Sequence, residues 1–178
     1  MRVGRTRAIG LSVAVFVAAA AGNAFAFGET ASAALKGVDG ADAGTVTFTE
    51  GSAGVLLKFA IKGLPPGPHA AHIVEKGVCE ADFSSAGGIH NPLGAKHGLL
   101  AEEGPMAGDL PNIYAAADGT LQAELLSPAI SLNTEADDGL FDADGAAIVI
   151  LENADDYQTE PDGDAGKRIA CGVITIKK

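Results

Sequence analysis

The chain has 178 residues, enough for one domain with a short leader. Two cysteines, no tryptophan and 5% aromatics describe a lean core of Ala, Val, Ile and Leu, and the 47% hydrophobic share argues against disorder. Twelve basic residues against 23 acidic ones give a formal charge of −11, which argues against nucleic acid as a partner because phosphate binding needs clustered Lys and Arg.

The first element is a leader. Arg2, Arg5 and Arg7 form a basic stretch, and residues 9–21 form an apolar run too short to span a bilayer comfortably. Ala24-Phe25-Ala26 then supplies an A-x-A cleavage site. The expectation is a signal peptide over 1–26 and one domain over 27–178. Removing the leader takes the formal charge to −14 and leaves no membrane segment. The destination is the periplasm or the extracellular space. An oxidising compartment favours a disulfide between Cys79 and Cys171, the only cysteines. Two free thiols or a thiolate metal site are the alternatives, the latter weakened by the absence of C-x-x-C spacing.

Residues 27–34 read as a short flexible lead. Thr45-Val46-Thr47-Phe48-Thr49 alternates in strand-forming residues, and residues 55–62 follow after a Gly-containing turn. Gly63-Leu64-Pro65-Pro66-Gly67-Pro68 excludes a helix or a central strand. Further strands are expected at 69–75, 119–126, 146–151 and 169–176. The continuous apolar run Ala146–Leu151 suits a strand buried on both faces. No stretch carries sustained helical periodicity, so the reading is all-β, an antiparallel sandwich or barrel. The Gly- and Pro-rich stretch 76–113 and the acidic stretch 152–166 are too long for hairpin turns, and long loops on a β scaffold commonly carry function.

These loops hold most of the polar candidates. Gly44-Thr45-Val46-Thr47-Phe48, Lys62-Gly63-Leu64-Pro65-Pro66-Gly67, Glu75-Lys76-Gly77-Val78-Cys79, Ala107-Gly108-Asp109-Leu110-Pro111-Asn112, Ala154-Asp155-Asp156-Tyr157 and Gly166-Lys167-Arg168-Ile169-Ala170-Cys171-Gly172 stand in one order. Together they resemble the copper,zinc superoxide dismutases, especially the secreted bacterial type. The resemblance implies a Greek-key β-barrel or sandwich with two long loops. It also implies one intrachain disulfide, Cys79–Cys171.

The family holds copper with four imidazoles and zinc with three imidazoles and an Asp, one His being shared. By resemblance, His72 matches a copper ligand, His97 a zinc ligand and Asp109 the zinc carboxylate. Val74, Ile89, Met106 and Leu151 stand at the other four positions. His90 follows Ile89 one residue late, and a one-residue shift in extended chain turns the side chain to the other face. The chain has four His in all, whereas the family's two metals require six. His69 matches a structural His beside the ligand strand. Asp155 matches the Asp that bridges one copper His and one zinc His, and a His72–Asp155–His97 hydrogen-bonded triad is expected to outlast the metals. Arg168 matches the Arg that guides the superoxide anion; without copper behind it, its expected role is to anchor a loop through backbone carbonyls.

The resulting expectation is an exported dismutase-like protein without catalysis and without a required metal, acting as a binding or structural module. The alternative is superoxide removal or copper or zinc binding through a residual or rebuilt site of His72, His90, His97 and Asp109. A third reading is a carrier of a small apolar ligand or a cofactor such as haem in the copper pocket, with His90 or Met106 as an axial ligand. A homodimer is expected only because many members of that family are dimers. The sequence does not name a protein or small-ligand partner.

Overall fold

The computed structural model describes residues 28–177 apart from positions 135 and 137. The leader over 1–26 lies outside the described residues. Among the described residues, nine strands follow in chain order: β1 Thr30–Gly37, β2 Asp42–Gly51, β3 Gly54–Ile61, β4 Gly67–His69, β5 Ala71–Val74, β6 Ile113–Ala115, β7 Leu121–Ser127, β8 Ala147–Leu151 and β9 Arg168–Ile176. Seven of them form one curled antiparallel sheet in the order β5-β8-β9-β1-β2-β3-β7, and β4 pairs with β6 in a small second sheet. The fold is all-β and of the dismutase barrel type that the sequence motifs imply.

Alternation explains the long strands. In β2, Val46 and Phe48 are fully buried, while the flanking Thr residues are more accessible. In β3, Val55, Leu57, Phe59 and Ile61 face the same core. The flexible lead expected over 27–34 is overturned from Thr30 onward. Ala31, Ala33 and Leu35 are fully buried on one face of β1, which pairs with β2 on one side and β9 on the other. Alanine has little intrinsic strand preference, so tertiary pairing made this strand where local propensity gave no signal.

The strand expected over 69–75 is divided. His69 belongs to β4 and pairs with Ile113, whereas β5 begins at Ala71 and pairs with β8. Ala70 marks the switch: its N–H donates to the Asn153 carbonyl (2.7 Å), and its carbonyl accepts from Leu151 N–H (3.0 Å).

β8 is buried along its whole length and separates two apolar bodies. Ile148 and Ile150 join the main core with Phe48, Leu57, Ala71, Ile73 and Leu110. Ala147, Val149 and Leu151 point the other way and pack with Val74, Phe83, Ala86 and Cys171. The two long loops cover this second face. The Cys79–Cys171 disulfide ties the first of them to β9, with Cα atoms 5.8 Å apart and a sequence separation of 92.

Candidate functional site

The site is built where the loop after β5 folds back onto that strand. Ile73 N–H donates to the Gly108 carbonyl, His90 N–H to the Ile73 carbonyl and Gly108 N–H to the His90 carbonyl, all within 2.8–2.9 Å. The backbone of Gly108 lies so close to the Ile73 carbonyl that a Cβ there would collide with it. A glycine at 108 is therefore what lets Asp109 reach β5, where it forms an antiparallel bridge with His72.

The second loop is fastened to the first by Asn112. Its amide nitrogen donates to the Asp155 carbonyl and its amide oxygen accepts from Asp155 N–H, both at 2.9 Å. Asn112 N–H also donates to the Tyr157 hydroxyl at 2.8 Å. Sequence reasoning singled out Asp109 and Asp155 but missed this clamp, although Asn112 closes the quoted Asp109-Leu110-Pro111-Asn112 motif. Gly163 sits directly over the Asp155 carboxylate with a positive φ of 71°, leaving no room for a side chain.

Four polar side chains are buried together: His72, His97, Asp109 and Asp155. His97 stands between the two carboxylates. Its Nδ1 is 2.8 Å from Asp109 Oδ1 and its Nε2 is 3.2 Å from Asp155 Oδ1. Burial pulls the His97 pKa down, but the charges of Asp109 and Asp155 and their hydrogen bonds together raise it above the ordinary histidine value. Both ring nitrogens face carboxylate oxygens, an arrangement that favours the protonated ring. Asp109 Oδ2 accepts from Gly98 N–H and Met106 N–H, and Asp155 Oδ1 accepts from Tyr157 N–H. The His97 N–H itself donates to Glu160 Oε1, a second contact between the loops that the sequence reading did not foresee.

His72 behaves differently. Its ring stands edge-on to His97 with centroids 5.6 Å apart. Nδ1 is 3.7 Å from Asp109 Oδ1 and Nε2 is 3.7 Å from Asp155 Oδ2, both beyond hydrogen-bond reach. Burial, with smaller contributions from the charges of His97 and Arg168, lowers its pKa to about 3, so the ring is neutral. The expected triad is therefore half made. Asp155 bonds His97 but not His72, and Asp109 supplies the contact that holds the other side of His97.

Several of the positions that the motifs match to ligands carry hydrocarbon instead. Val74 is fully buried and bridges Ile89 across an antiparallel pair, and Leu151 is 1% exposed. Met106 is half-buried and, with Ile89, Asn91, Glu75, Asp162 and Arg168, lines an open cleft of about 390 Å³. Arg168 donates from its two terminal nitrogens to the carbonyls of Phe83 (2.8 Å) and Gly87 (2.6 Å), the loop-anchoring role expected of it. His69 is held between the carbonyls of Leu151 and Pro65, each 2.8 Å from a ring nitrogen. His90 is 8% exposed, and its Nε2 has no partner among the described residues.

Residues 42–174 match the family described as copper/zinc superoxide dismutase. The chain belongs to the copper/zinc superoxide dismutase family. A superoxide dismutase [Cu-Zn] of Caulobacter vibrioides is 53% identical over 148 residues, which span 82% of this chain and 85% of that one. The crystal structure of a SOD-like protein from Bacillus subtilis superposes with a TM-score of 0.77 at 38% identity, covering 80% of this chain and 96% of that one. The Cu/Zn superoxide dismutase from Brucella abortus does so with a TM-score of 0.67 at 28% identity, covering 83% of this chain and all of that one.

Family membership raises the question whether the side chains present suit the family's metals. For a copper centre of several imidazoles, only His72 and His90 carry ring nitrogens without a partner among the described residues, and Val74, Ile89 and Leu151 at the other matched positions have no donor atoms. The residues do not fit such a centre. A zinc held by three imidazoles and a carboxylate fares no better. His97 Nδ1 is already engaged by Asp109, Ile89 has no donor, and Met106 offers only a thioether, a weak ligand for zinc.

Proposed function

We propose that this chain is an exported member of the dismutase family that does not dismutate superoxide and acts as a binding or structural module on the retained scaffold. Dismutation requires one centre that binds copper in two oxidation states and holds its geometry in both. The observation that carries this reading is buried hydrocarbon at matched positions. Val74, Ile89 and Leu151, at three of the positions the motifs match to ligands, are 0%, 8% and 1% exposed, so aliphatic side chains are buried where the family places donors. Each such side chain contributes about 1.5–3 kcal/mol on burial, whereas clustered imidazoles without an ion would lose water and gain no partner. Stability thus comes from packing where the family uses ion coordination. The disulfide and the secreted type of dismutase that the motifs resemble support export.

Superoxide decay followed by stopped flow, with purified protein loaded with copper and zinc and then freed of unbound metal, tests this reading. The expected decay matches the spontaneous rate. Protein-dependent turnover that persists after gel filtration contradicts it.

The cleft lined by Ile89, Met106 and Arg168 favours a second reading, a carrier of a small ligand with an apolar body. An absorption spectrum and mass analysis of protein purified under native conditions test it: a co-purifying small molecule supports the carrier, and its absence counts against it.

A further inference from the structure

The first long loop carries three leucines in the open. Leu93, Leu99 and Leu100 are 84%, 36% and 67% exposed. Lys96 N–H donates to the Glu103 carbonyl (2.9 Å) and Ala101 N–H to the Gly98 carbonyl (3.2 Å), so the stretch doubles back into one lobe that carries all three. Single exposed leucines are ordinary on a protein surface, whereas a cluster of them marks a place where something binds.

A loose loop could fold such side chains against the barrel, but this one is pinned. The Asn91 side chain closes the turn that carries Leu93 with two hydrogen bonds to the Ala95 backbone, both 2.9 Å. His97 precedes Gly98 and Leu99, and its ring is held between Asp109 and Asp155. Gly98 N–H donates to Asp109 Oδ2 (2.8 Å) and Leu100 N–H to the Tyr157 carbonyl (3.1 Å). Gly98 has a φ of 109°, and a Cβ there would strike that same carbonyl. The buried polar cluster therefore does something without an ion: it pre-orders an apolar lobe, which lowers the entropic cost of docking onto it.

Charge around the lobe selects the occupant. Glu102, Glu103 and Asp156 are exposed beside it, and Glu160 accepts from His97 N–H, whereas Lys96 is the only Lys or Arg in the stretch 91–104. We infer that this lobe docks a partner protein through a basic amphipathic segment. Apolar side chains of that segment meet Leu93, Leu99 and Leu100, and its lysines or arginines meet the carboxylates. A second copy of this chain fits poorly, since it would set one acidic rim against another. The inference rests on the reading of the chain as a binding module and names the partner's chemistry. Superoxide decay decides whether dismutation is lost, so an inactive protein that ignores the probe below sinks this inference alone.

The experiment is a fluorescence-anisotropy titration of the purified protein with a labelled helical peptide whose leucine stripe is flanked by lysines. Two control peptides replace its lysines by glutamate or its leucines by serine. The leucine–lysine peptide should bind at least about tenfold more tightly than either control. Leu100→Ser, at an exposed position, should weaken it about tenfold. Glu102→Lys with Glu103→Lys should weaken it and flatten its salt dependence. Amide shift changes in the unaltered protein should fall on 91–104 and 154–160, a readout that needs no variant. No binding, equal binding by either control peptide, unchanged affinity in Leu100→Ser, or shifts confined to the rest of the barrel overturns the inference. So does dimerisation abolished by Leu100→Ser, or binding to neutral lipid vesicles in preference to the peptide, because the lobe would then belong to a second copy or to a membrane.

Discussion

Val74 and Ile89 face each other across an antiparallel bridge, which brings two aliphatic side chains together beside the buried imidazole of His72. Val74 and Leu151 belong to the same apolar cluster as Phe83 and Cys171 and therefore pack under the loop that the disulfide fastens. Leu151→Ala should destabilise the protein by about 2–5 kcal/mol, the range for emptying a buried leucine site. Urea unfolding at neutral pH measures this, and a change below 1 kcal/mol would mean that the cluster carries little of the fold.

The clamp at Asn112 gives a second test. Its side chain makes two hydrogen bonds to the backbone of Asp155. Asn112→Ala should cost about 1–3 kcal/mol, the order expected for two lost hydrogen bonds with a buried partner. Hydrogen exchange should also quicken in residues 152–166 while β2 and β3 stay protected. Uniform loss of protection across the sheet would show instead that Asn112 acts on the whole fold.

Most of the architecture was legible in the sequence because its signals are local. β2, β3, β8 and β9 carry alternating or continuous apolar patterns, and the order of the motifs fixed which residues the loops bring together. β1 was not legible, because Ala31 and Ala33 show no preference of their own and are made into a strand by neighbours on both sides. The meeting of His72, His97, Asp109 and Asp155 could be anticipated from the motifs. Their hydrogen bonding could not, since a few tenths of an ångström decide whether Asp155 reaches His72, and sequence spacing does not resolve that distance. The Asn112 clamp spans 43 residues and left no periodic trace.

The two histidines set opposite pH dependences in metal-free protein. His72 has a folded pKa of about 3, below its unfolded value, so the unfolded state binds the extra proton between the two. Stability is therefore lost as pH falls from about 6.5 toward 3. His97 has a folded pKa above its unfolded value, so its contribution is complete below about 6.5 and lost as pH rises through the folded pKa. Unfolding free energy should peak near pH 6.5, with His72 setting the acid limb and His97 the alkaline limb. Urea titrations across pH should show His72→Gln flattening the acid limb and His97→Gln the alkaline limb. Identical profiles in wild type and variants would refute the assignment.

The disulfide closes a loop of about 90 residues, and its loss should cost on the order of 4–5 kcal/mol in the chain-entropy model. Cys79→Ser with Cys171→Ser, compared with the oxidised protein by urea unfolding, measures that cost. A loss well under 1 kcal/mol would indicate that the second apolar cluster holds the long loop without a covalent tie.

The central claim is that hydrocarbon occupies the space where several imidazoles would have to converge on one copper ion. Electron paramagnetic resonance of protein exposed to one equivalent of Cu²⁺, read for the number of coupled imidazole nitrogens, tests it most directly. The account predicts at most two, because only His72 and His97 have rings in the buried cluster. A spectrum showing three or more would contradict it.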